Sequence, residues 1–143
     1  MTLQKAQESK NHVEKITYLR SYRHAISEIN RLEDEIVKWR SLAEKVTASL
    51  ALAPGGSTGD RIPSAVEHIE ECIAKREREL SALCVLRDEI GKAIDTVDDE
   101  RLARLLRLRY IDHLRVEEIA EQEHIDSRWT QKLLRRGVEK MTV

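Results

Sequence analysis

The strongest constraint on this 143-residue chain is a single break. Ala53-Pro54-Gly55-Gly56-Ser57-Thr58-Gly59-Asp60 separates two long stretches in which apolar residues recur every three or four positions. Proline and clustered glycine cannot sustain a helix, so the break and its flanks, residues 51–63, read as a loop. Before it, Ile26, Ile29, Leu32, Ile36, Trp39, Ala43, Val46 and Leu50 share one helical face. Arg31, Glu33, Asp34, Glu35, Lys38 and Arg40 lie between them as a solvated face. The pattern predicts a helix from about residue 11 to 50, roughly 60 Å long.

After the break, Ser64-Ala65-Val66-Glu67 has the form of a capping box, with Pro63 ahead of it. The next apolar stripe is Val66, Ile69, Ile73, Leu80, Leu83, Leu86 or Arg87, Ile90, Ile94 and Val97. It predicts a second helix from about residue 64 to 96, roughly 48 Å long. Two helices of similar length around a short glycine-rich loop most simply fold back as an antiparallel coiled-coil hairpin. Aromatics are only 3% of the chain and Phe is absent, so the seam consists of aliphatic side chains and is narrow. Two helices alone leave such a seam partly wet, and a homo-oligomer is expected. Trp39 is read as a seam residue.

The pattern changes after Thr96-Val97-Asp98-Asp99, where Thr96 can cap and the acids favour a helix start. Three short elements come next, at residues 98–111, 116–123 and 127–141. The chain therefore divides into a hairpin, 1–97, and a small helical domain, 98–143. The expected fold class is all-α throughout.

The last two elements have the requirements of a helix-turn-helix. Ala120 is the small residue facing the second helix, Ile125 plugs the turn, and Asp126 caps the final helix. Thr130, Leu133, Leu134, Val138 and Met141 form one face of that helix. Arg128, Gln131, Lys132 and Arg135 lie opposite. Total charge is near zero, with 25 basic and 26 acidic residues, so composition alone does not point to nucleic acid. Locally the balance is sharp. Between Ser127 and Val138 the charged residues are Arg128, Lys132, Arg135 and Arg136, with no acid, whereas Glu117, Glu118, Glu121 and Glu123 load the preceding helix. Phosphate neutralisation needs such a basic cluster, and Arg and Gln suit base-edge readout. Trp129 either packs against Leu133 or reaches DNA.

Leu106-Arg107-Leu108-Arg109-Tyr110-Ile111-Asp112 followed by Val116-Glu117-Glu118-Ile119-Ala120 resembles the fourth conserved region of bacterial sigma factors. A coiled coil followed by such a module resembles phage-encoded late-gene activators of the RinA and ArpU type. The resemblance spans residues 98–141. It implies a sequence-specific transcriptional regulator whose last helix enters the major groove, with double-stranded DNA and host RNA polymerase as partners. It implies DNA contacts from Ser127, Arg128, Gln131 and Lys132, to which local charge adds Arg135 and Arg136. The chain departs from the family pattern at His113 and His124, where Gly, or at the second Gly or Asn, is usual. It also departs at Arg115, where a Ser or Thr cap is common, and at Glu123, where the family is apolar. Gly137 interrupts the last helix.

A small terminase-like DNA-packaging protein and a structural or adaptor coiled coil are the competing readings. Terminases of this kind commonly place the DNA-binding module first, which favours the regulator. No nucleophile with a base, phosphate loop or carboxylate pair stands out, so neither enzyme activity nor a cofactor is expected. The five His residues are scattered, and neither a CxxC nor a paired His/Cys spacing suggests a metal centre. Cys72 and Cys84 fall on one predicted helix roughly 18 Å apart, beyond disulfide reach. The first residues are polar and no run of about 18 apolar residues occurs, so the chain reads as cytoplasmic with no membrane span.

Overall fold

The computed structural model describes residues 2–52 and 61–143. The fold is all-α, with five helices and no strand among those residues: α1 (Leu3–Leu52), α2 (Arg61–Asp95), α3 (Glu100–Tyr110), α4 (Val116–Glu123) and α5 (Ser127–Lys140). Of the loop expected over 51–63, residues 51–52 and 61–63 are helical, and 53–60 lie outside the described residues. No helix among them is long and apolar enough to cross a membrane.

Both long helices exceed the lengths read from sequence. The α1 helix starts at Leu3, eight residues before Asn11. Residues 3–10 contain no Gly or Pro and are mostly good helix formers, so the helix continues although this end has no buried side chain. The α2 helix starts at Arg61, which places Ser64 inside it and rules out the capping box. Pro63 then lies in the first turn, where a missing N–H costs little because that donor has no helical acceptor.

The residues form two compact units, Met1–His24 with Leu83–Val143, and Ala25–Ala82. In the second unit α1 and α2 run antiparallel. Glu35 lies near both His68 and Cys72, while Trp39, one turn further along α1, tilts its ring onto His68 at 4.3 Å. Ile29, Leu32 and Ile36 are buried on α1, and Ala65 and Cys72 on α2.

The expected apolar stripe is buried or half-buried at Ile69, Ile73, Leu83, Leu86, Ile90, Ile94 and Val97, and departs from the inward face at two positions. Among the buried or half-buried positions of α2, Ala65, Ile69, Cys72, Arg76, Glu79, Leu83, Leu86, Ile90 and Ala93 follow alternating steps of four and three, with His68, Ile73, Gly91 and Ile94 beside them. That spacing is a heptad seam. Two of its positions are charged, and tracing apolar residues alone passes over them. Val66 and Leu80, assigned to the seam by that pattern, are 43% and 39% exposed.

In the first unit, Leu19 and Tyr22 of α1 are buried together with Ile90, Ile94 and Val97. The α3 helix contributes Leu102, Ala103, Leu105 and Leu106 to the core. Its cap is Asp99, whose carboxylate accepts from the N–H groups of Arg101 and Leu102 at 3.0 and 3.2 Å. Thr96, the expected cap, has a different role. Its hydroxyl donates to the Ala93 carbonyl and accepts from the Thr142 N–H at 2.9 Å, tying the chain end to the close of α2.

Candidate nucleic-acid interface

The α4 and α5 helices are joined by three residues, His124, Ile125 and Asp126. The turn is built by backbone geometry. His124 adopts the left-handed conformation, φ 57° and ψ 42°. Its N–H donates to the Glu121 carbonyl at 3.3 Å, and the Ile125 N–H donates to the Ala120 carbonyl at 3.0 Å. This pair of bonds is a Schellman closure, in which a left-handed residue turns the chain back over the helix end. The chain is then recaptured immediately. An Asp126 carboxylate oxygen accepts from the Trp129 N–H at 2.6 Å, capping α5.

One side of α5 is fully committed to the core. Thr130, Leu133, Leu134, Gly137 and Val138 are buried, as is Met141 just beyond. Thr130 is a buried polar residue whose hydroxyl is satisfied by donating to the Asp126 carbonyl at 2.9 Å. Gly137 sits against Leu106 of α3. A Cβ there would lie 3.1 Å from the branched end of Leu106, which is itself fully buried. The glycine that weakens helix propensity is the residue that admits α3.

The opposite side carries Arg128, Gln131, Lys132, Arg135 and Arg136, all exposed, with Ser127 half-buried at its start. The side chains differ in their engagements. Arg135 pairs with Glu139 at 3.3 Å, so an acid lying beyond the all-basic stretch neutralises its far end. Arg136 places its guanidinium 5.1 Å from the centroid of the Trp129 ring, and Trp129 is 37% exposed rather than packed inside. Arg128 and Lys132 form no ion pair among the described residues. With Gln131 they make an acid-free patch on the first turns of α5.

The acids of α4 are partly held away from this patch. Glu123 accepts two bonds from the Arg104 guanidinium of α3, at 3.0 and 2.8 Å, and only 14% of its side chain is exposed. Sequence reasoning missed this pair, whose partners are 19 residues apart. It explains an acid at a position where the resembled family is apolar. At the start of α4, Arg115 offers no capping side chain. Glu118, three residues on, instead accepts from the Arg115 backbone N–H and pairs with its guanidinium at 2.6 Å, which holds the Glu118 carboxyl below its ordinary range. That is the returning half of a capping box without its first half.

Both departures at glycine positions fall on left-handed backbone. His113 has φ 58° and His124 φ 57°, the only positive values at non-glycine residues among the described residues. His113 compensates by stacking on Tyr22 of α1, with ring centroids 5.3 Å apart and planes 21° from parallel. His124 is exposed and makes no such contact.

Comparison with family models, with curated proteins and with solved structures finds no match to this chain.

Proposed function

We propose that α3 to α5 form a DNA-binding helix-turn-helix with α5 as recognition helix, and that the protein is a sequence-specific transcriptional regulator. One observation carries this reading. A helix whose one face is entirely buried presents on the other an acid-free patch of Arg128, Gln131 and Lys132, without ion-pair partners for either cation. A helix entering the major groove needs such side chains near its N-terminus and a rigid opposite face. Asp126 caps the helix, and the patch lies on its first turns, near the positive end of the helix dipole. Trp129 with Arg136 above it adds a planar cationic platform beside the patch. The resemblance to sigma region four and to phage late-gene activators supports the same reading and adds RNA polymerase as the protein partner.

The test is selection of bound duplexes from a random pool at moderate salt, followed by titration of the selected and a random duplex. Arg128→Ala or Gln131→Ala should weaken the selected site by about 1–3 kcal/mol and relax sequence choice there. Lys132→Ala should weaken both duplexes alike and lower the salt slope by about one. If none of the three changes DNA binding while the circular dichroism stays native, α5 is not the recognition helix and the adaptor reading replaces this one.

A further inference from the structure

In the unit formed by Ala25–Ala82, one face of α2 meets α1 with a chemistry that the DNA reading does not use. His68 and Cys72 are four residues apart on α2 and therefore one above the other on the same face. Glu35 of α1 lies opposite. The His68 Nε2 is 3.1 Å from a Glu35 carboxylate oxygen, and the candidate donor atoms of Glu35, His68 and Cys72 all lie within 4.8 Å of one another. Contrary to the expectation that no paired His/Cys spacing occurs, His68 and Cys72 are such a pair at i, i+4, and the third member comes from another helix.

We propose that Glu35, His68 and Cys72 form a binding site for a divalent transition-metal cation of the zinc type. Tetrahedral bonds of about 2.0–2.3 Å place ligand atoms roughly 3.3–3.6 Å apart, so the observed trio requires only small side-chain rotations to close on an ion. Nitrogen, sulfur and carboxylate oxygen together are a borderline donor set that suits zinc, cobalt or nickel and not magnesium or calcium. Three protein ligands leave a fourth position for water.

The surroundings fit such a site. The Trp39 ring lies against the His68 ring, with centroids 4.3 Å apart and planes tilted by 53°. The side chains of Glu35 and His68 are 37% and 36% exposed, which gives an ion a way in, while Cys72 is buried behind them. A hydrogen bond joins Glu35 and His68, and Cys72, a buried seam position of α2, brings its thiol to the third corner. Burial pushes the Cys72 thiol up, so the metal-free group is protonated. Binding breaks the S–H bond, forms the metal–sulfur bond and releases the proton to solvent. The described residues of this unit come from two helices only, and a pair with so small a core is the setting in which a metal staple adds most.

The experiment is a cobalt(II) titration of the full chain after chelator treatment and dialysis, in the reduced state. Expected are visible bands of tetrahedral cobalt and an ultraviolet thiolate-to-cobalt band, both saturating at one equivalent and bleached by zinc. Zinc should also raise the thermal midpoint. Cys72→Ala should abolish the thiolate band, and His68→Gln and Glu35→Gln should each weaken binding, all with native helicity. Cys84→Ala should leave it intact, since Cys84 is exposed and stands apart. His68→Gln and Glu35→Gln, at part-exposed positions, keep the test open if Cys72→Ala does not fold. Absence of the thiolate band in the parent chain, its dependence on Cys84, or its indifference to both His68→Gln and Glu35→Gln would overturn the site.

Discussion

Replacing His124 by glycine should stabilise the protein, although it removes a side chain and adds none. His124 is held at φ 57° and ψ 42°, where an L residue with a Cβ is disfavoured by about 1–2 kcal/mol. Glycine has no such penalty, but its unfolded chain is more flexible by roughly 0.4–1 kcal/mol. The imidazole is exposed, so no packing is lost. The balance is a gain of about 0.5–1 kcal/mol, or roughly 1–4 °C in thermal midpoint for a chain of this length. His124→Ala retains the strain and isolates the backbone effect. Urea unfolding followed by circular dichroism at 222 nm would order the variants Gly above His, with His and Ala similar. His113 provides the opposing case at φ 58°. Its stack on Tyr22 contributes about 0.5–1.5 kcal/mol, so His113→Gly should give no net gain or a loss. A finding that His124→Gly is no more stable than His124→Ala would refute the argument that the Schellman turn carries backbone strain.

Other outcomes rest on the same core and caps. Gly137→Ala gains about 1 kcal/mol of helix propensity, but the new Cβ lies 3.1 Å from a fully buried Leu106, and overpacking of about 1–3 kcal/mol should leave it net destabilised by urea titration. Asp126→Ala removes the α5 cap and should cost about 1 kcal/mol, with DNA affinity falling on both specific and random duplexes. His113 should make stability pH-dependent. Burial, then Arg23, lowers its pKa below 6.5, Arg109 adds to this, and Asp112 opposes it, with Tyr22 stacked on the ring. A depressed histidine pKa means the unfolded chain binds the proton more readily. The stability it contributes is full above about pH 6.5 and is lost as pH falls through the folded value. His113→Asn, which tolerates the same backbone, should flatten that fall in unfolding free energy measured between pH 7.5 and 5.

Much of the fold was legible where the periodicity of burial coincides with apolar identity. The bounds of α4 and the start of α5 agree with Ile119-Ala120 and Ile125-Asp126, and the buried face of α5 with Thr130, Leu133, Leu134, Val138 and Met141. On α2 the pattern held at Ile69, Ile73, Leu83, Leu86, Ile90 and Ile94 but missed the half-buried Arg76 and Glu79 and included the exposed Val66 and Leu80. It failed at Thr96 because both Thr96 and Asp99 are capping types, and α3 starts at Glu100, next to Asp99, while Thr96 bonds Ala93 and Thr142 instead. Within the candidate interface, exposure of Arg128, Gln131 and Lys132 could be anticipated from spacing. The pairing of Arg104 with Glu123 and the proximity of Glu35 to His68 and Cys72 could not, because each joins separate helices.

The placement of Glu139 has a consequence for how much sequence one copy of the protein could recognise. On the proposed reading, because that acid occupies the far part of the α5 face, the stretch open to DNA would run from Arg128 to Lys132, about 6 Å of helix. DNA advances roughly 3.4 Å per base pair, so this stretch addresses a patch of only a few pairs. A word of about four letters recurs by chance every few hundred base pairs, far too often to mark one promoter among the competing sites of a genome. On the proposed reading, the information that makes an address unique must come from two such words and the fixed distance between them. Discrimination would then depend on half-site spacing at least as strongly as on the letters themselves.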